Sequence, residues 1–144
     1  MIQIHFPIEK PSIKKENNRL LIFCPVRKKW LVLTPEEWVR QNIILYLTIV
    51  KNYPNSIISV EKQIIVNNQK KRFDIAVYKN ETPFLLVECK NMEESLNPQV
   101  LSQSLSYLSS LNAKYLIASN GTNTLGYEKV NDQLMPITEI PAWG

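Results

Sequence analysis

Lys71-Arg72-Phe73-Asp74-Ile75-Ala76-Val77 and, shortly after it, Phe84-Leu85-Leu86-Val87-Glu88-Cys89-Lys90 are two apolar runs that carry charge where a strand tolerates it poorly. Their length and bounding polar turns read as short, buried central strands. A buried carboxylate pairs, takes up a proton or binds a metal, because leaving it alone is too costly. Strand side chains alternate, so Glu88 and Lys90 share one side while Val87 and Cys89 share the other. Asp74, then 13 residues, then Glu88-x-Lys90 places two carboxylates and an ammonium on neighbouring strands. A magnesium-dependent phosphodiesterase needs this set: oxygen ligands for a hard cation and a positive charge beside the phosphate. The plainer alternative is a solvated Glu88–Lys90 pair on an edge strand, which contributes little. It fits less well, because both runs have the composition of central strands.

Outward from this pair, the chain reads as alternating elements. Leu20-Leu21-Ile22-Phe23 and Trp30-Leu31-Val32-Leu33, separated by Pro25 and Arg27-Lys28-Lys29, predict a β-hairpin within a strand-rich arm over residues 1–33. Thr34-Pro35-Glu36-Glu37 opens a helix, with Thr as N-cap, Pro at the first helical position and Glu three residues after the cap. The helix should reach about Lys51, before Tyr53-Pro54-Asn55. Strands follow at about 57–66, 72–78 and 84–90, with turns at Asn67-Asn68-Gln69 and near Asn80. Asn97 and Pro98 predict the start of a second helix running to about Leu111, followed by a strand at 113–119 and short strands towards the carboxyl end. The strands on either side of that helix should be parallel, joined by a right-handed crossover. The expected fold is therefore α/β in a single domain over 1–144, its core spanning 34–144.

Composition bounds the chemistry. With 144 residues and 44% hydrophobic content, one core is expected. No run of 18 apolar residues predicts a membrane span, and the amino terminus lacks the pattern of a secretory signal. Cys24 and Cys89 are far apart and His5 is the sole histidine, which argues against zinc. Cys89 reads as a small buried thiol, and the whole as a protein of the reducing cytoplasm. The net charge of +4 is compatible with a polyanion. Lys14, Lys15, Arg19, Arg27, Lys28 and Lys29 crowd the first thirty residues, and Lys70, Lys71 and Arg72 precede Asp74. These clusters are either solvated turns or phosphate contacts flanking the acidic pair.

Two helices offer supporting groups. At 100° per residue, Val39, Ile43, Tyr46, Leu47 and Val50 form the apolar face of the first helix. Glu37, Arg40, Gln41, Thr48 and Lys51 lie opposite, interrupted by Ile44. Glu37 is explained by the helix cap, whereas Glu36 falls within the apolar face and is the better active-site acid; alternatively Glu36 only favours the helix dipole. On the second helix, Gln99, Gln103 and Tyr107 follow one stripe beside Leu101, Leu105 and Leu108. An amide and a phenol one turn apart can orient a water, a carboxylate or a phosphate.

The order Asp74, Glu88-Cys89-Lys90, Gln103-Ser104-Leu105-Ser106-Tyr107 resembles the PD-(D/E)xK nuclease superfamily, and within it the amino-terminal nuclease domain of type I restriction enzyme restriction (R) subunits. Thr34-Pro35-Glu36-Glu37-Trp38-Val39-Arg40-Gln41 and Ser119-Asn120-Gly121 also resemble that family, and the likeness covers about residues 20–130. Phe73 stands where the signature has proline, and the helicase motor of those subunits does not fit in 144 residues. The resemblance implies a restriction-endonuclease-like core, a mixed central sheet flanked by helices and preceded by the hairpin arm. It implies Mg2+-dependent hydrolysis of phosphodiester bonds in DNA, with Mn2+ as a substitute. Asp74, Glu88 and the Cys89 backbone carbonyl would hold the metal, and Lys90 would act on the attacking water and the phosphate. Glu36 would serve a second metal or its water. Gln103 and Tyr107 would order the site, with Gln103, Arg72 and Lys71 touching the nucleic acid. Cutting both strands implies a homodimer, and the missing motor implies a separate motor or specificity subunit. The rival expectation is a nuclease-like module that binds DNA or a partner protein without cutting. A third is a purely structural subunit.

Overall fold

The computed structural model describes residues 1–66, 68–98 and 112–144. Its framework is a mixed α/β arrangement: a three-stranded antiparallel sheet, one helix, and a six-stranded mixed sheet. The small sheet holds β1 (Ile13–Glu16), β2 (Arg19–Cys24) and β3 (Lys29–Val32) in that order. The large sheet runs in chain order through β4 (Ile58–Val66), β5 (Gln69–Lys79), β6 (Thr82–Cys89), β7 (Tyr115–Ser119), β8 (Thr124–Val130) and β9 (Gln133–Pro136). All its neighbours are antiparallel except β6 and β7, which are parallel as expected from the sequence. The predicted second helix falls almost wholly on residues 99–111, outside the described residues.

Helix α1 (Pro35–Leu45) starts as its sequence dictates. Thr34 is extended, and its Oγ1 accepts the Glu37 N–H at 3.0 Å. The helix continues as a wider turn over Tyr46–Val50, in which Lys51 N–H reaches back to the Tyr46 carbonyl. Tight hairpins supply the other punctuation. Asn17-Asn18, Asn80-Glu81 and Asn131-Asp132 each have both residues at positive φ, the conformation that two-residue hairpin loops require and that asparagine tolerates best.

One face of the large sheet packs Ile75, Val77, Leu85, Val87, Cys89 and Ile117 against Val39, Ile43, Ile44 and Leu47 of α1. The other face carries a second cluster around Phe73, Ala76, Leu86, Leu116 and Tyr127. Burial on both faces is why β5 and β6 read as continuous apolar runs.

The expected hairpin is present as β2–β3, paired from Leu21↔Val32 to Cys24↔Lys29, but the amino-terminal region adds β1 and is not an extended arm. It is a three-stranded sheet packed on α1: Cys24 joins the α1 core, and Phe23 and Pro25 line a cavity with Gln41 and Leu45. Ile2 pairs with Thr124 of β8. Several coverings correct the one-sided reading of the helix: Gln41 meets the small sheet, Arg40 the carboxylates of β4 and β5, and Lys51 the carboxyl-terminal segment. Arg40, Gln41 and Lys51, expected on the polar face, are buried, and so is Ile44 at 0% exposure. Val50, expected inside, is 43% exposed because the widened last turn rotates it outward. Lys51 is accommodated by Glu139, at 2.6 Å.

The two readings of the helix separate by mutation. Ile44→Ala should cost about 2–5 kcal/mol, the range for a truncated core aliphatic, whereas Val50→Ala should stay within about 0.5 kcal/mol. Urea unfolding of the two variants measures this, and equal costs would contradict the packing described here.

Candidate active site

The β5–β6 ladder runs from Lys79↔Thr82 back to Ile75↔Val87 and stops. At the next position the Asp74 side chain takes over from the main chain, its Oδ2 accepting the Cys89 N–H at 2.8 Å. A strand N–H points along the sheet, so the carboxylate fills the gap where β5 and β6 separate. Its other oxygen accepts from Arg40 Nη2 at 2.9 Å. Glu88 leaves β6 between Val87 and Cys89, both of which face the α1 core. Its side chain is 19% exposed, and its Oε1 is buried without a hydrogen-bond partner. The Lys71 ammonium lies 3.8 Å from that oxygen.

Burial pushes the Glu88 pKa above the usual glutamate range; Lys71 and Lys90 oppose the rise, while Asp74 and Glu36 add to it. Glu36 is exposed on the first turn of α1, and its pKa is also raised, first by partial burial and next by Asp74, against Arg40 and Lys90. Asp74, Glu88, Glu36 and Lys90 thus act on one another electrostatically across the end of the ladder. Lys90 is exposed, while its backbone N–H still bonds the Ser119 carbonyl at 2.8 Å, so β7 holds the strand up to this residue. Burial drives the Cys89 thiol pKa well up, and its side chain belongs to the core. Arg72 is exposed on β5. Gln103 and Tyr107 lie outside the described residues.

Glu36 is exposed rather than within the apolar face where the helical wheel put it, and Glu37, expected only to cap the helix, turns inward. Its N–H is capped by Thr34, but its carboxylate accepts from Arg40 at 3.1 Å and Gln41 at 2.9 Å. Arg40 is the residue that sequence reasoning missed. Its guanidinium, 7% exposed, contacts Glu37, Asp74 and, at 3.3 Å, Glu61. Burial works to lower the Arg40 pKa, but these three carboxylates hold it above the usual arginine value. Glu61 sits in β4 at a φ of 55° and also takes a 2.6 Å bond from Arg27, the main cause of its lowered pKa. No sequence signal marked this contact, since Glu61 falls with Ser59 and Gln63 on the polar phase of the β4 alternation.

Across the site, Asn120 donates to the Glu94 carbonyl at 2.7 Å and accepts from the N–H groups of Thr122 and Asn123, which ties the segment after Lys90 to the β7–β8 turn. Gly121 has a φ of 88°, and a Cβ there would press on Val39 and Met92 at 3.2 and 3.3 Å. Among the described residues, no three His, Cys, Asp or Glu side chains gather as a metal cluster. A two-carboxylate site is sufficient for magnesium, which keeps several waters.

A family model described as type I restriction enzyme R protein N terminus matches residues 35–141. No curated protein matches the chain. Among solved structures, the chain is similar to a fragment assigned to an HsdR subunit of a type I restriction enzyme from Vibrio vulnificus YJ016, with a TM-score of 0.52 and 15% identity. That likeness covers 76% of this chain and 24% of the other, and at such identity it is a likeness of fold.

Two outcomes follow from this geometry. Arg40→Ala leaves Asp74 and Glu37 largely buried without their cation, and should cost about 3–5 kcal/mol in urea unfolding. Glu88 binds its proton more tightly in the native state than when unfolded. The stability this contributes is fully present below the ordinary glutamate pKa of about 4.3 and is lost as pH rises through the raised native value. In chelator, Glu88→Gln should therefore gain on the wild type with rising pH; parallel stability curves would mean that Glu88 is not strained.

Proposed function

This chain belongs to the type I restriction enzyme R protein N-terminus family, and we propose that it is a magnesium-dependent DNA endonuclease domain of the PD-(D/E)xK kind built on a restriction-endonuclease-like core. The observation that carries the proposal is the Glu88 carboxylate: held beside Asp74, strained by burial, and with one oxygen lacking a hydrogen-bond donor. A divalent cation relieves all of these conditions together. Asp74, Glu88 and the Cys89 backbone carbonyl are the groups that would hold it. When bound there, magnesium supplies Lewis acidity towards a phosphate oxygen and lowers the pKa of a water.

The chain's own groups supply the rest. The Lys90 ammonium, free to enter solvent at the end of β6, orients the attacking water and meets the charge that develops on phosphate. Glu36, whose raised pKa suits it to accept a proton, acts on water or a second cation from the start of α1. Lys71 and Arg72 contact the nucleic-acid backbone, and Gln103 and Tyr107 keep the ordering role that the resemblance gives them. Cutting both strands calls for a second copy, and a motor or specificity subunit would supply targeting. Among the described residues no helix is long and apolar enough to cross a membrane, and we place the protein in the cytoplasm.

One observation favours a second reading, in which the module binds DNA without cutting it. Both Asp74 oxygens already accept hydrogen bonds, one from the Arg40 cation, and a metal must compete for them.

The variants distinguish the readings. Lys90→Ala should keep metal binding, measured by calorimetry with Mg2+ and Mn2+, and slow cleavage about tenfold to a thousandfold. Glu88→Gln should weaken the metal itself, since a neutral amide replaces a charged oxygen ligand. DNA bound without metal-stimulated cleavage, on duplex, nicked, junction and single-stranded substrates alike, would select the second reading.

A further inference from the structure

Beyond Asp74 the large sheet narrows to two strands. β4 is its edge, and β5 has lost β6 as a partner by this point. Residues 62–66 and 69–73 pair only with each other among the described residues, through Lys62↔Phe73, Gln63↔Arg72, Ile64↔Lys71, Ile65↔Lys70 and Val66↔Gln69. This antiparallel ribbon leaves the sheet beside the Asp74–Glu88 pair. From 62 to 73 it carries Lys62, Lys70, Lys71 and Arg72 and not one acid. Alternation puts Lys70 and Arg72 on one face and Lys62 and Lys71 on the other. Lys62, Lys70 and Arg72 are exposed, and Lys71 reaches back towards Glu88.

We infer that this ribbon is a duplex-DNA-binding element that lies in the major groove and sets the phosphate backbone against the carboxylate pair. The inference rests on the nuclease reading and adds the surface that grips the duplex and the groove it enters. Five residue pairs span roughly 17 Å at strand rise, and a two-stranded ribbon fits a groove about 12 Å wide. A groove has a phosphate wall on each side, and this ribbon has cations on both faces. A single strand offers one backbone and engages one face only. Gln63 and Gln69 stand among the cations with donors and acceptors suited to base edges.

The test is equilibrium binding of the full chain, in chelator, to a 20-base-pair duplex and to one of its strands over a salt series. The wild type should prefer duplex. Lys62→Ala with Lys70→Ala should weaken duplex binding about tenfold or more and reduce the slope of log K against log salt by about 2, near one per lost phosphate contact. Lys62→Arg with Lys70→Arg should restore both. Lys79→Ala with Lys114→Ala removes the same charge from the opposite end of the strands and should leave the slope unchanged. An unaltered slope in the ribbon variant, an equal loss in the Lys79 and Lys114 variant, single-strand binding as tight as duplex, or no DNA binding at all overturns the inference. Chelator keeps binding apart from cleavage. Failure of metal-stimulated cleavage defeats the nuclease reading while the ribbon result stands, and intact cleavage with an unaffected slope defeats the ribbon alone.

Discussion

The Arg40 guanidinium, enclosed by Glu37, Glu61 and Asp74, is the contact on which the rest of the arrangement depends. Taking an arginine out of water costs several kcal/mol unless nearly every side of it is answered by charge. The three carboxylates come from α1, β4 and β5, so satisfying one cation fixes the helix against two strands at once. Glu61 reaches it from a positive-φ backbone, a conformation that costs about 1–3 kcal/mol and persists only where the surroundings enforce it. Its bonds to Arg27 and Arg40 provide that enforcement. Such a cluster adds little net stability, but it excludes other placements of α1, and with them other positions for Glu36.

The same contact defines the end of the β5–β6 ladder. Asp74 accepts from Arg40 with one oxygen and replaces a main-chain acceptor with the other, which parts the two strands and lets β5 continue as a ribbon. Glu88 is left in a half-enclosed space between two cations, Lys71 and Lys90, and two carboxylates, Asp74 and Glu36, and it is held there by Val87 and Cys89, which anchor β6 in the core. Its strain is therefore supported by packing elsewhere, a common way for a fold to maintain a group in a reactive state.

Much of this was legible in the sequence, because it depends on neighbours a few residues apart. The Thr34-Pro35 start of α1 and the strands around Asp74 and Glu88 are local properties, and so are the asparagine turns and the parallel return after β6. The separation of Val87 and Cys89 from Glu88 needs only the alternation of a strand. The family was likewise readable from the order of Asp74, Glu88-x-Lys90 and the segments around Thr34 and Ser119.

What the sequence did not determine is which side chains from distant segments meet. A helical wheel assigns one apolar face; it sent Gln41 to solvent because it cannot see the small sheet beside the helix, and Arg40 because it cannot see the carboxylates of β4 and β5. Arg40 and Asp74 are 34 residues apart, as are Arg27 and Glu61, and no period links them. Glu37 was explained by a local cap, yet its carboxylate turns to a buried cation that only the packed structure places beside it. Periodicity fixes which way a side chain points along its own element; the charge that answers it is decided only when α1, β4 and β5 close on one another.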